Sequence, residues 1–245
     1  MWQRRRVLLA GGALASASAA GLATAVLWPR VHRDNISTGL GLVREIPLSD
    51  GSVVTLNTNS QITLRYTEQM REVRLMRGEA LFDVAKDKSR PFIVVAEGTQ
   101  VRAVGTSFSV SILPNRPVQV LVREGVVELK SGAASQVKLV RVGANTRAAL
   151  SRAGGVVATR LPQAKVVRDL AWQVGQIAFD NETLEEAAAE FARYSSVRIV
   201  VDTAVAGRTV TGLYASHDPV GFAKVTAAAL DLRVQVNDNE VKLSE

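Results

Sequence analysis

Apolar and polar residues alternate through three short runs between Gly78 and Val110, and a rhythm of two residues commits a chain to strands. Phe82 and Val84 share one parity, Phe92, Val94 and Ala96 a second, and Thr106, Phe108 and Val110 a third, with Gly78, Gly98 and Gly105 as punctuation. The rhythm extends both ways. Val54 and Leu56 follow an Asp50-Gly51 turn, Ile62, Leu64 and Tyr66 follow the polar break from Asn57 to Ser60, and Val73 and Leu75 come next. Val118, Val120 and Val122 lead into Glu124-Gly125, and Val127 and Leu129 into Ser131-Gly132, which is turn chemistry. Strands recurring about every ten residues predict an all-β domain over residues 43–150, and a sandwich, a barrel or a short strand coil would each satisfy the pattern.

Residues 151–168, with Gly154-Gly155 and Pro162, read as a strand remnant and a linker. Residues 169–245 then read as a small α+β module. Thr183-Leu184-Glu185-Glu186 is a capping box, in which the hydroxyl accepts from a free amide of the first turn and Glu186 reaches back. Leu184, Ala187, Ala188, Phe191 and Tyr194 trace one helical face, and Val197, Ile199 and Val201 form a strand after it. Asp218-Pro219 caps a second helix whose stripe is Phe222, Ala223, Thr226, Ala227 and Leu230. Strands at Leu232–Val236 and Val241–Leu243 follow. Thr183 pairs with Asp218, Arg198 with Arg233, Ile199 with Val234 and Val201 with Val236, so the helix-strand unit is duplicated.

The N-terminus has a different character. Met1–Arg6 is basic, and Val7–Trp28 runs for 22 residues without a charge. At a helical rise of about 1.5 Å per residue that length crosses a bilayer core of about 30 Å. Residues 1–6 are therefore expected in the cytoplasm and residues 7–28 as a transmembrane helix, with the bulk of the chain beyond the inner membrane in the periplasm. Arg4-Arg5-Arg6 and the Ala23-Thr24-Ala25 tripeptide also fit an export signal that is cleaved. Five of the arginines behind the net charge of +7 lie in the first 33 residues, which contain no acid. The remainder is nearly balanced and carries no basic stripe interleaved with aromatics, which argues against nucleic acid as a partner.

Reactive groups are scarce. The chain has no cysteine and two histidines, His32 and His217, neither in a metal-ligating or triad-like setting. Glu185, Glu186 and Glu190 fall on a helix and Asp238 and Glu240 at a turn, where solvation explains them. Gly39-Leu40-Gly41 lacks the third glycine of a phosphate loop. No catalytic, cofactor-binding or metal-ligating residue is assigned, and an enzyme is not expected. Recognition by surface is what remains. Trp172, Phe179 and Tyr194 are either core or partner anchors, and a free sheet edge could add a partner strand.

Ile46–Asn57, Arg77-Gly-Glu-Ala-Leu-Phe-Asp-Val84, Arg90-Pro-Phe92, Gly105-Thr-Ser-Phe108 and Arg123-Glu-Gly-Val126 together resemble the periplasmic domain of the FecR family. Trp172, Gly175, Phe179, Leu184 and Arg193-Tyr194 resemble that family's C-terminal region, which is similar to the short N-terminal domain of secretins and TonB-dependent transducers. The resemblance implies a single-pass inner-membrane regulator of an extracytoplasmic-function sigma factor. Its implied partners are the periplasmic signalling domain of an outer-membrane TonB-dependent transporter, probed by Trp172, Phe179, Leu184, Arg193 and Tyr194, and membrane-associated proteases. Iron-siderophore signalling is the expected context. A sigma factor would be held by a cytoplasmic segment longer than residues 1–6, because a helix shorter than about 12 residues is marginal alone. The competing expectation is an envelope scaffold or ligand-binding β-domain that does not bind a sigma factor.

Overall fold

The computed structural model describes residues 33–131, 138–150 and 155–245. The expected cytoplasmic end and the span or signal at 7–28 lie outside them, and among the described residues no helix is long and apolar enough to cross a membrane. The alternating region forms β1 (Arg33–Ser37), β2 (Arg44–Pro47), β3 (Val53–Leu56), β4 (Gln61–Tyr66), β5 (Arg71–Asp83), β6 (Phe92–Ala96), β7 (Thr99–Ala103), β8 (Ser107–Ile112), β9 (Val118–Glu124), β10 (Val126–Ser131), β11 (Lys138–Gly143), β12 (Thr146–Leu150) and β13 (Val156–Arg160).

β5 holds this region together. Its first half pairs antiparallel with β4 and parallel with β6, and its second half, from Gly78, pairs antiparallel with β3 and β8. Gly78 has φ +83, and a Cβ there would lie 2.6 Å from Ser60 Cα, so glycine is required where the strand passes between sheets. One sheet runs β1-β4-β5-β6-β7-β10-β11 and the other β2-β3-β5-β8-β9-β12-β13. Joined through β5, they face each other as a nearly closed barrel. The alternation sends Phe82, Val94, Phe108, Val120 and Leu129 into one core, where Phe82 stacks on Phe108 at 5.4 Å and meets Phe92 of the facing sheet at 5.9 Å.

At one end of this core Arg71 is fully enclosed. Its Nη1 lies 2.6 Å from Asp50 Oδ2, its guanidinium also donates to the carbonyls of Ala85 and Arg90, and it sits 5.5 Å from the Phe92 ring centroid. Burial alone would push the Asp50 carboxyl up, but hydrogen bonds from Ser52 and Arg71 outweigh it and hold the group below the usual carboxylate range. The turn at Asp50-Gly51 is thereby tied to β5 and to the loop that returns from it.

The C-terminal module comprises α1 (Gln163–Asp169), a 3-10 turn (Ala171–Val174), β14 (Gln176–Thr183), α2 (Leu184–Phe191), β15 (Arg198–Val201), β16 (Thr209–Ala215), α3 (Pro219–Leu230), β17 (Arg233–Asn237) and β18 (Glu240–Ser244). The capping box forms as expected, and Asp218 Oδ1 accepts from the Gly221 amide at the start of α3. The duplication is real in space. β14-α2-β15 and β16-α3-β17 are two strand-helix-strand units: β14 pairs antiparallel with β16, and β15 and β17 flank β18.

The structure adds detail to these expectations. Within residues 155–168 the expected strand remnant is β13, which pairs with β12 as an edge of the second sheet, and the rest holds α1, which buries Val166 in the module. Pro162 starts α1 instead of breaking the chain, its carbonyl accepting from the amides of Lys165 and Val166. The β-domain also begins before Val43, with β1 lying along β4. Finally, β14 and β16 were not foreseen: a bulge at Asn181, φ +73, and Gly212 interrupt their alternation.

Candidate functional site

The outward face of the second sheet carries Leu81 on β5 and Leu121 on β9, both on the parity that the alternation reserves for polar residues. Each flanks Ser109 of β8 in register, and neither meets water. They join Val166, Leu170, Trp172, Ile177, Phe179, Leu184, Phe191 and Phe222 in a second core, so the C-terminal module covers this face. Burying each leucine contributes about 1.5–3 kcal/mol.

Polar contacts surround that apolar patch, and the densest cluster lies at the end of α2. Asn57, in the break between β3 and β4, donates through Nδ2 to Glu79 Oε2 at 2.8 Å and to the Tyr194 hydroxyl at 2.9 Å. Arg193 Nη2 donates to the same Glu79 oxygen at 3.1 Å, Arg193 Nη1 pairs with Glu190, and the guanidinium stands 5.4 Å from the Tyr194 ring centroid. Thr58 Oγ1 donates to the Arg193 carbonyl and accepts from the Gly41 amide, both at 2.8 Å. Gly41 has φ +75, and a Cβ there would lie 2.6 Å from the Tyr194 carbonyl oxygen. The segment leading out of β1 is thus pressed beneath the module.

The electrostatics of this seam are unbalanced. Enclosure pushes the Glu79 carboxyl above its usual range, and the opposing pull of Arg193 and Asn57 does not cancel it. Burial works against the Arg193 charge, yet Glu190 and Glu79 together hold its pKa above the ordinary value. Burial also raises the Tyr194 hydroxyl, which therefore stays protonated. Elsewhere on the seam Arg123 links Asp83, at 2.7 Å, to Gln173, and Arg147 of β12 pairs with Asp169 of α1. No cluster among the described residues could hold a metal ion.

The five candidate partner-binding residues all belong to this region, but as packing. Trp172, Phe179, Leu184 and Tyr194 are at most 4% exposed, and Arg193 keeps about a fifth of its side chain open, 21%. Phe179 lies against Phe191, Tyr214 and Phe222, at 5.7 Å from the last, so its role is cohesion of the module. Tyr194 and Arg193 also make hydrogen bonds to the β-domain. Sequence reasoning missed Asn57, Thr58 and Glu79 as their counterparts. Leu81 and Leu121, apolar where the parity calls for polar, are the signal that a second layer covers this sheet.

Residues 34–128, from β1 into β10, match the FecR protein family. That stretch, about two fifths of the chain, is similar to FecR. A comparison with curated proteins returned no significant match. Two crystal structures of a candidate anti-sigma factor from Parabacteroides distasonis ATCC 8503, at 2.50 and 1.65 Å resolution, are similar at TM-score 0.68 and 23% identity, and cover 87% and 86% of this chain and 99% of theirs. At that identity the likeness shows a shared fold, and its coverage carries it past residues 34–128 into the C-terminal module.

Proposed function

We propose that this FecR-domain protein is a single-pass inner-membrane regulator that relays the state of an outer-membrane TonB-dependent transporter, in iron-siderophore uptake, to an extracytoplasmic-function sigma factor. The C-terminal module is the receiver, the FecR domain is the body that transmits, and the apolar run at 7–28 is the crossing. The anti-sigma description of the structurally similar protein supports the regulatory part of this reading. The scarcity of reactive side chains agrees with work done by contact.

The observation that carries the proposal is the seam. Asn57, Thr58, Glu79, Arg193 and Tyr194 bind module to FecR domain through directional hydrogen bonds, and Gly41 brings the chain from β1 against the same point. A force on α2 is therefore felt in the segment that follows β1. Regulated proteolysis near the membrane would convert that change into release of the sigma factor, because a lone helix transmits a two-state signal poorly. The test is transcriptional. Deleting the gene should change the response of sigma-dependent transcripts to siderophore under iron limitation, and an unaltered response would sink the proposal.

A further inference from the structure

With Trp172, Phe179, Leu184 and Tyr194 enclosed, a partner needs another foothold on the module, and β15 supplies one. In the sheet β15-β18-β17, β15 is an edge. The Arg198 amide donates to Asn239 O and the Asp202 amide to Leu243 O, so residues 198, 200 and 202 face β18. By the alternation of a parallel ladder, the N–H and C=O groups of Ile199 and Val201 point the other way, where no strand among the described residues pairs with them. Edges of this kind are usually blunted by lysine, proline or a bulge, and Arg198-Ile-Val-Val201 has none of these.

A groove of about 410 Å³ lies beside this edge, between β15 and α2. Its helix wall is built from Ala188, Ala189 and Ala192, short side chains that leave room for larger ones. Its ends differ in charge. Glu185, whose amide donates to Ala206 O, marks the end where β15 departs, and Arg198, its side chain 71% exposed and paired with Glu240, marks the other.

We infer that β15 and this groove receive an extended strand of a partner protein, apolar at alternate positions, with a basic residue toward Glu185 and an acidic one toward Arg198. The unpaired main-chain groups select a strand over a helix, the alanine wall selects apolar side chains, and the charged ends set which terminus lies where. The inference rests on the reading above only in taking the module as the contact domain.

The experiment uses the purified full-length chain and a terminally blocked, fluorescently labelled heptapeptide, Lys-Val-Thr-Val-Thr-Val-Glu, followed by anisotropy. Two N-methylated twins, each blocking alternate main-chain nitrogens, are titrated beside it. Saturable binding is expected, with one twin weakened by about tenfold or more, the size of two lost main-chain hydrogen bonds, and the other near the parent. Val201→Pro removes an outward-facing N–H and should abolish binding while the circular dichroism spectrum persists. Ala189→Gln, on the exposed wall, should weaken it without that backbone change. Absence of parent binding, equal binding of both twins, or indifference to both substitutions would overturn the inference while leaving the transcriptional test untouched. Self-association of the chain that Val201→Pro removes would likewise overturn it, assigning the edge to a second copy.

Discussion

Arg71 and Arg193 each face a carboxylate away from water, yet the two settings differ in kind. Arg71 and Asp50 are 0% and 2% exposed and lie within one domain, with further carbonyl acceptors and the Phe92 face around the guanidinium. Arg193 and Glu79 are 21% and 13% exposed, lie across two domains, and stand further apart, with Glu190 competing for the same arginine. Asp50 is held below the usual carboxylate range and Glu79 above it. The contrast teaches that burial alone does not make a pair rigid. A fully satisfied pair locks its loop, whereas a contested one leaves its carboxylate with a raised pKa and the contact open to change.

The largest effect is expected on the locked side. Arg71→Met strands Asp50 in the core and should lower unfolding free energy by about 3–5 kcal/mol, read from urea denaturation. A loss under about 1 kcal/mol would show that the first pair is no lock. Across the seam, Arg193→Ala should cost less, about 2 kcal/mol, because Glu79 can take up a proton when its partner leaves. A double-mutant cycle with Glu79→Gln measures that coupling directly. Tyr194→Phe deletes the acceptor of one Asn57 hydrogen bond and should cost about 0.5–1.5 kcal/mol, leaving cooperative unfolding intact.

Acidification separates the pairs by sign. Asp50, whose folded pKa is depressed, contributes stability that is present above its unfolded value of about 3.8 and lost as pH falls through the folded one. Glu79, whose folded pKa is raised, contributes stability that is complete below its unfolded value of about 4.5 and lost as pH rises through the folded one. Between neutrality and about pH 4.5 the seam should therefore strengthen while the Asp50 pair is unaffected. Thermal unfolding across that window should show the gain in the native chain and none in Glu79→Gln.

The β-domain was legible because its information is local. Period-two alternation with Gly and Asp-Gly turns marks strands wherever one face is buried, and Phe82, Phe92 and Phe108 all point inward as their parity requires. The duplicated helices were legible for the same reason: Thr183 with Glu186, and Asp218 with Pro219, are caps complete within four residues. What stayed hidden is long-range. The Asp50–Arg71 contact spans 21 residues, Glu79–Arg193 spans 114 and Asn57–Tyr194 spans 137, and no periodicity announces them. α1 escaped notice because its seven residues give fewer than two turns of pattern. Trp172, Phe179 and Tyr194 were open to a core or an anchor reading and are buried here, and the ambiguity arose because an aromatic that packs and one that recognises have the same sequence signature.

The covered leucines have a consequence for how the chain comes together in time. Leu81 and Leu121 are in place as soon as β5, β8 and β9 pair, whereas most of the residues that shelter them come later, from α1 onward. A closure bridging as many as 137 residues is the slow step of such a topology, so the second sheet must spend an interval with an apolar outer face open to other chains. A chain ending at Arg160 would remain in that interval permanently, and it should be recovered as aggregate when the complete chain is recovered as monodisperse protein. The C-terminal module thus acts as a lid on its own neighbour's stickiness during maturation, before any partner is met.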